Sequence, residues 1–268
     1  MRAHLVQMDV SWEDPDGNRN RVGRLLGRAD VDEGDLIVLP EMFDTGFSMN
    51  TERTADNGLT LRFLLDLADD LGVTIQAGRT LHRCDCDRAE NVMSVVGPGT
   101  KLIAEYAKCY PFSIAGEDNH IRAGRDVVVY EWNDLRVAPA ICYDLRFPEL
   151  FRRGLAAGAE MFALGAGWPK TRQHHWRALL LARAIENQAY VLGVNRVGRD
   201  PEHAGGLEYR GGSIAVGPTG EVLGELSAEE SQEGILSLVI DPEAVRGWRT
   251  KFPAWRDIRR QPFPGDED

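Results

Sequence analysis

The stretch VAPAICYDLRFPEL, Val137 to Leu150, decides how this chain is read. An apolar, strand-like run stops at Cys142. Tyr143, Asp144 and Arg146 then lead into a helix that Pro148 is suited to start, because a first helical position needs no N–H and tolerates a fixed φ. A thiol between a strand and a helix stands where α/β folds put their sites, with free backbone N–H groups nearby. Taken alone, a free cysteine is more often a core filler than a nucleophile. The rest of the chain has to choose.

Outward from this stretch, short runs rich in Val, Ile and Leu alternate with helical stretches. HLVQM (4–8) and DLIVLPE (35–41) read as strands separated by a polar amphipathic stretch to Ala29. A helix is expected near Thr60 to Leu71, then a strand in VTIQAG (73–78). Beyond Cys142 come MFALGAG (161–167), the helical TRQHHWRALLLARAIENQ (171–188) and AYVLGVN (189–195). The alternation predicts an α/β fold with strands buried on at least one face. SVVGPGTKLIAEY from Ser94 and SIAVGPTGEVLGEL from Ser213 each put a Gly-Pro turn between apolar-alternating runs. Both read as hairpins, and their likeness predicts two similar half-sheets. No Pro- or Ser-rich linker divides the chain. Residues 1–268 are therefore expected to form a single domain, with a C-terminal arm from about 250 that ends in the acidic tail RRQPFPGDED.

The chain has 268 residues, 43% of them hydrophobic, enough for a sizeable core. Lys and Arg number 31 against 42 Asp and Glu, a formal charge of −11 with no basic cluster, which argues against nucleic acid as a partner. The N-terminus MRAHLVQMDVSWEDPDG is too charged for a signal peptide, and no run of about 18 apolar residues occurs, so a soluble cytoplasmic protein without membrane contact is expected. Four cysteines, Cys84, Cys86, Cys109 and Cys142, do not make a disulfide framework. His82, Cys84 and Cys86 lack the second ligand pair of a structural zinc site, so no metal is expected.

Two other strand ends carry chemistry: Glu41 in LPEMFDTGF (39–47) and Lys108 in YAKCYPF (106–112). Each residue type alone is usually solvated. A dyad of Cys142 with His174 or His175, at the start of the long helix, is the competing arrangement.

Taken in order, LPEMFDTGF, YAKCYPF and AICYDLRFPEL resemble the three active-site segments of the nitrilase superfamily of carbon–nitrogen hydrolases. ARAIENQAYVLGVNRVG (182–198), EYRGGSIAVGPTGEVLGE (208–225) and KFPAWRD (251–257) are similar to segments of its omega-amidase branch, so the resemblance covers nearly the whole chain. It implies a four-layer α-β-β-α sandwich, a Glu41, Lys108 and Cys142 triad, Glu117 in FSIAGEDNHIRAG as a further carboxylate, no cofactor, and a homodimer. It also implies an amidase that releases ammonia from a small carboxylate-bearing amide, such as 2-oxoglutaramate or 2-oxosuccinamate. Alternatives are an N-carbamoyl-amino-acid or aliphatic amidase with the same triad, and a non-catalytic interaction protein on the same fold.

In that chemistry Cys142 forms a thioester, and Glu41 serves as base and acid with its pKa raised toward neutrality by burial. Lys108 and the Tyr143 backbone N–H hold the oxyanion. A carboxylate on the substrate calls for donors, for which Arg146, Arg196 and Arg210 are candidates, with Phe43 and Trp168 as walls. The chain departs from the family pattern at Cys109 to Phe112 and at Gly167, where related sequences often carry Asn, and both departures are expected to line the pocket.

Overall fold

In the computed structural model, which describes residues 1–83 and 87–258, the alternating runs become two six-stranded sheets. β1 (Arg2–Gln7), β2 (Leu36–Val38) and β3 (Thr74–Leu81) run parallel. Their crossovers hold α1 (Pro15–Leu26), the single-turn α2 (Thr51–Thr54) and α3 (Leu59–Leu71). β4 (Glu90–Gly97) and β5 (Lys101–Ala107) then fold back antiparallel. After the single-turn α4 (Glu117–His120), β6 (Tyr130–Trp132) pairs antiparallel with β7 (Leu135–Ile141). β7, β8 (Met161–Ala166) and β9 (Tyr190–Asn195) repeat the parallel trio, with α5 (Pro148–Ala156) and α6 (Gln173–Asn187) in their crossovers. A ribbon of β10 (Val197–Arg199) and β11 (Glu208–Arg210) precedes the hairpin of β12 (Ile214–Val216) and β13 (Val222–Glu225). β14 (Gly234–Val239) returns to the first sheet antiparallel to β1, and α7 (Pro242–Lys251) follows.

The sheet orders are β14-β1-β2-β3-β4-β5 and β6-β7-β8-β9-β12-β13. Each has three parallel strands with one antiparallel strand on one side and an antiparallel hairpin on the other. The two Gly-Pro hairpins occupy equivalent places, which is the repetition their sequences foreshadowed.

Side chains of β2 point alternately both ways, and both faces are covered, so the strand reads as unbroken apolar sequence. Leu36 and Val38 join Leu5 and Val95 between the sheets, against Val137, Met161, Ala163, Leu192 and Val194. Ile37 and Leu39 face α1 and α3, packing with Val22, Leu64 and Ala68. On the far side Ile141, Leu164 and Val191 pack under Trp176, Leu180 and Ala184 of α6, whose buried stripe follows helical spacing. Burying one such leucine contributes about 1.5–3 kcal/mol. The layers are therefore helix, sheet, sheet, helix, as the resemblance implied. Among the described residues no helix is long and apolar enough to cross a membrane. Cys84, Cys86 and the tail 259–268 lie outside the described residues.

Candidate active site

Glu41, Lys108 and Cys142 each follow closely on the end of a strand: β2, β5 and β7. Glu41 lies in a segment squeezed between the two sheets. A Cβ on Gly78 of β3 would sit 2.6 Å from Met42 N, and one on Gly165 of β8 would sit 2.5 Å from Leu39 O, so only glycine lets residues 39–42 through. Met42 then takes φ +43° and Cys142 φ +44°, a left-handed conformation that costs a non-glycine residue about 1–3 kcal/mol and clusters at functional sites. Lys108 is registered by its own N–H, which donates to Asn91 O at 2.9 Å.

The three elements bring their side chains into one buried cluster. Lys108 Nζ donates to Glu41 Oε1 at 2.7 Å and to Glu117 at 2.8 and 3.1 Å. Asn91 Nδ2 bridges the same two carboxylates at 2.8 and 3.0 Å. Glu41 Oε2 accepts from Gly167 N–H at 3.0 Å, and Glu117 Oε2 accepts from Phe112 N–H at 2.5 Å. The Cys142 thiol, at the head of a short 3-10 turn (Cys142–Arg146), lies 3.9 Å from Gly167 O. Glu41, Lys108 and Cys142 together line a cavity of about 510 Å³.

Residues 2–250 match the carbon-nitrogen hydrolase family. The chain belongs to that family. An omega-amidase of Yersinia enterocolitica is 37% identical to this hydrolase over 96% of both chains. A 2-oxoglutaramate amidase of Bacillus subtilis is 33% identical over 95% of this chain and 96% of its own. Among solved structures, XC1258 from Xanthomonas campestris, a CN-hydrolase superfamily protein with an arsenic adduct in its active site, superposes with a TM-score of 0.89 at 32% identity, covering 98% of each chain.

The electrostatics of the hydrolase cluster correct one expectation. Burial alone would raise the Glu41 carboxyl, but the Lys108 ammonium 2.7 Å away outweighs it and holds the group below the usual carboxylate range. Burial, then the Glu41 charge, pushes the Cys142 thiol well above its ordinary value. Lys108 resists the same burial because Glu117 and Glu41 hold its proton. At neutral pH the resting arrangement is therefore a neutral thiol facing an ionised carboxylate, with a permanent cation beside both.

The cavity walls differ in part from those expected. Arg146 and Trp168 line it, the Arg146 guanidinium lying 4.9 Å from the Trp168 ring centroid. Phe43 does not: the left-handed Met42 turns the chain back, so that Phe43 N–H pairs with Gly78 O and the ring enters the core with Leu39 and Val6. Phe47 takes the expected place, 5.5 Å beneath Lys108 Nζ. Arg196 is buried in an ion pair with Asp200 at 2.8 Å and a bond to Val10 O at 2.7 Å, and Arg210 pairs with Glu208, so neither lines the cavity. Of the departures from the family pattern, Phe112 and Gly167 line it, whereas Tyr110 stacks on Phe147 at 3.8 Å. His174 and His175 are not among the lining residues, and Arg146 Nη2 donates to His175 Nδ1 at 3.2 Å.

Asn91, Phe47 and Arg172 had not been singled out. Arg172 lines the cavity with its guanidinium 5.4 Å from the Phe112 ring. Among the described residues neither Arg146 nor Arg172 has a carboxylate partner. The one signal for Arg172 is its place in the loop after β8, where α/β folds gather their ligands.

Proposed function

We propose that this hydrolase is an omega-amidase that removes the terminal amide of a small 2-oxo acid monoamide, such as 2-oxoglutaramate or 2-oxosuccinamate, as ammonia. The observation that carries the reading is the buried ammonium bridging two carboxylates beside a neutral thiol.

The steps follow from the resting charges. As Cys142 Sγ attacks the amide carbon, Glu41 takes the thiol proton, and the carbonyl oxygen gathers negative charge. Lys108 Nζ and the Tyr143 N–H hold that oxyanion; the second position of a helical turn has no acceptor within its own helix. Collapse breaks the C–N bond, and Glu41 passes its proton to the leaving nitrogen. Water then attacks the thioester with Glu41 as base, releasing the carboxylate and restoring the thiol. Glu117 keeps Lys108 ionised and in place.

The distal carboxylate of the substrate meets Arg146 and Arg172, two cations already held against aromatic faces and without an acidic partner among the described residues. Arg172→Ala is expected to raise KM for 2-oxoglutaramate about tenfold while leaving a neutral aliphatic amide unaffected. We take residues 1–268 as one catalytic domain acting in the cytoplasm as a homodimer. An ammonia-release assay across 2-oxoglutaramate, N-carbamoyl amino acids and simple amides, with Cys142→Ala as the blank, tests the reading, and absence of turnover on the first would sink it.

A further inference from the structure

Asp144, two residues beyond Cys142, is fully buried and stands outside the Glu41, Lys108 and Glu117 cluster. Its Oδ2 accepts from Ile141 N–H at 2.9 Å and from the Tyr106 hydroxyl at 2.7 Å, and its Oδ1 accepts from Tyr110 N–H at 3.0 Å. The Tyr106 hydroxyl in turn accepts from Cys109 N–H at 3.3 Å. These bonds end two residues before Lys108, two residues after it, and one residue before Cys142. One carboxylate therefore ties together the two segments that present the cation and the nucleophile.

We infer that Asp144 is a positioning residue, whose carboxylate sets the Lys108 ammonium against the Cys142 thiol through Tyr106 and Tyr110. The inference rests on the triad proposed above. A buried carboxylate is a costly filler where an apolar side chain could occupy the space, so its retention needs a reason beyond packing. The ionised form accepts all three donors as charge-assisted bonds, whereas protonation weakens the oxygen that takes the proton. The groups around it are Tyr106, Cys109 and Tyr110 from the end of β5, with the Lys108 charge beyond them. From α6, Arg183 directs Nε and Nη2 to Leu145 O, at 3.1 and 2.8 Å, instead of to Asp144. Burial pushes the Asp144 carboxyl up to about 7, against the Tyr106 hydrogen bond and the Lys108 charge. The brace therefore tightens as pH rises through about 7.

The test is kcat and KM from pH 5.5 to 8.5 for wild type, Asp144→Asn and Tyr106→Phe, with Cys142→Ala as the blank and circular dichroism to verify folding. The substrate is whichever amide of the panel turns over fastest. Wild-type kcat is expected to rise with pH through about 7. Asp144→Asn should lose that rise and about 10- to 100-fold in kcat, the scale set by misplacing a catalytic group by about 1 Å, with KM within about twofold. Tyr106→Phe keeps the carboxylate and its two backbone bonds, so it should lose less kcat and keep the rise. A folded Asp144→Asn with wild-type kcat, or one that retains the rise, overturns the inference. If Asp144→Asn does not fold, Tyr106→Phe decides: lower kcat at unchanged KM supports the inference, and unchanged kcat refutes it. If wild type releases no ammonia above the Cys142→Ala blank, the triad reading falls and takes this inference with it.

Discussion

At the scale of single residues, the site solves an unusual charge problem. Glu41, Glu117 and Lys108, when all are ionised, carry one net negative charge beside a thiol that burial first, and the Glu41 charge second, keep protonated. Cys142→Ala should abolish ammonia release, and Glu41→Gln should lower kcat about 100- to 10,000-fold, the usual worth of a general base, with both variants melting cooperatively. Lys108→Met leaves two buried carboxylates without a cation and should cost about 3–5 kcal/mol at pH 7 in urea titrations. The sign of its pH dependence follows from Glu41. A carboxyl whose folded acidity lies below its unfolded value of about 4.3 stabilises the fold above that value and loses the contribution as pH falls through the folded one. In the variant Glu41, buried without its cation, favours protonation instead. The gap between wild type and Lys108→Met should therefore narrow as pH falls toward 4; a gap that widens would contradict the charge assignment.

At the scale of elements, the backbone must be bent and threaded before these side chains can meet. Gly78→Ala would place a methyl 2.6–2.7 Å from the backbone of residues 40–42, so the segment bearing Glu41 has to move. We expect a loss of about 1–3 kcal/mol in stability, typical of overpacking, together with a fall in kcat larger than any change in KM. Unaltered kcat in a folded Gly78→Ala would show that Glu41 is not held by this passage. The same elements show what the sequence could tell. The strands, the α6 stripe and the two hairpins are local patterns of period two or 3.6, and they are legible as such. Phe43 leaves the cavity because side chains alternate only while φ stays extended, and Met42 at φ +43° breaks the pattern. Asn91 was invisible because its role arises from register: β4 and the end of β5 place its amide between two glutamates distant in sequence. Arg196 and Arg172 look alike as sequence, and only the folded ribbon decides that Asp200 claims the first and leaves the second facing the cavity.

At the scale of the whole molecule, the two halves share one inner core, with Leu36 and Val38 of the first against Met161 and Leu192 of the second. Neither sheet can keep its inner face dry without the other. Loss of activity, of far-ultraviolet circular dichroism and of tryptophan emission should therefore coincide in one urea transition. Separated midpoints would show that the half-sheets unfold independently.

The repeated half-sheet plan has a further consequence for what ammonia release reports. Glu41 and Lys108 come from the first half and Cys142 from the second, and β14, which completes the first sheet, follows both halves in the chain. A cut between the half-sheets would therefore put Glu41 and Lys108 on one fragment and Cys142 on the other. Ammonia release is thus expected to report that the two half-sheets have docked, as well as that the side chains are present.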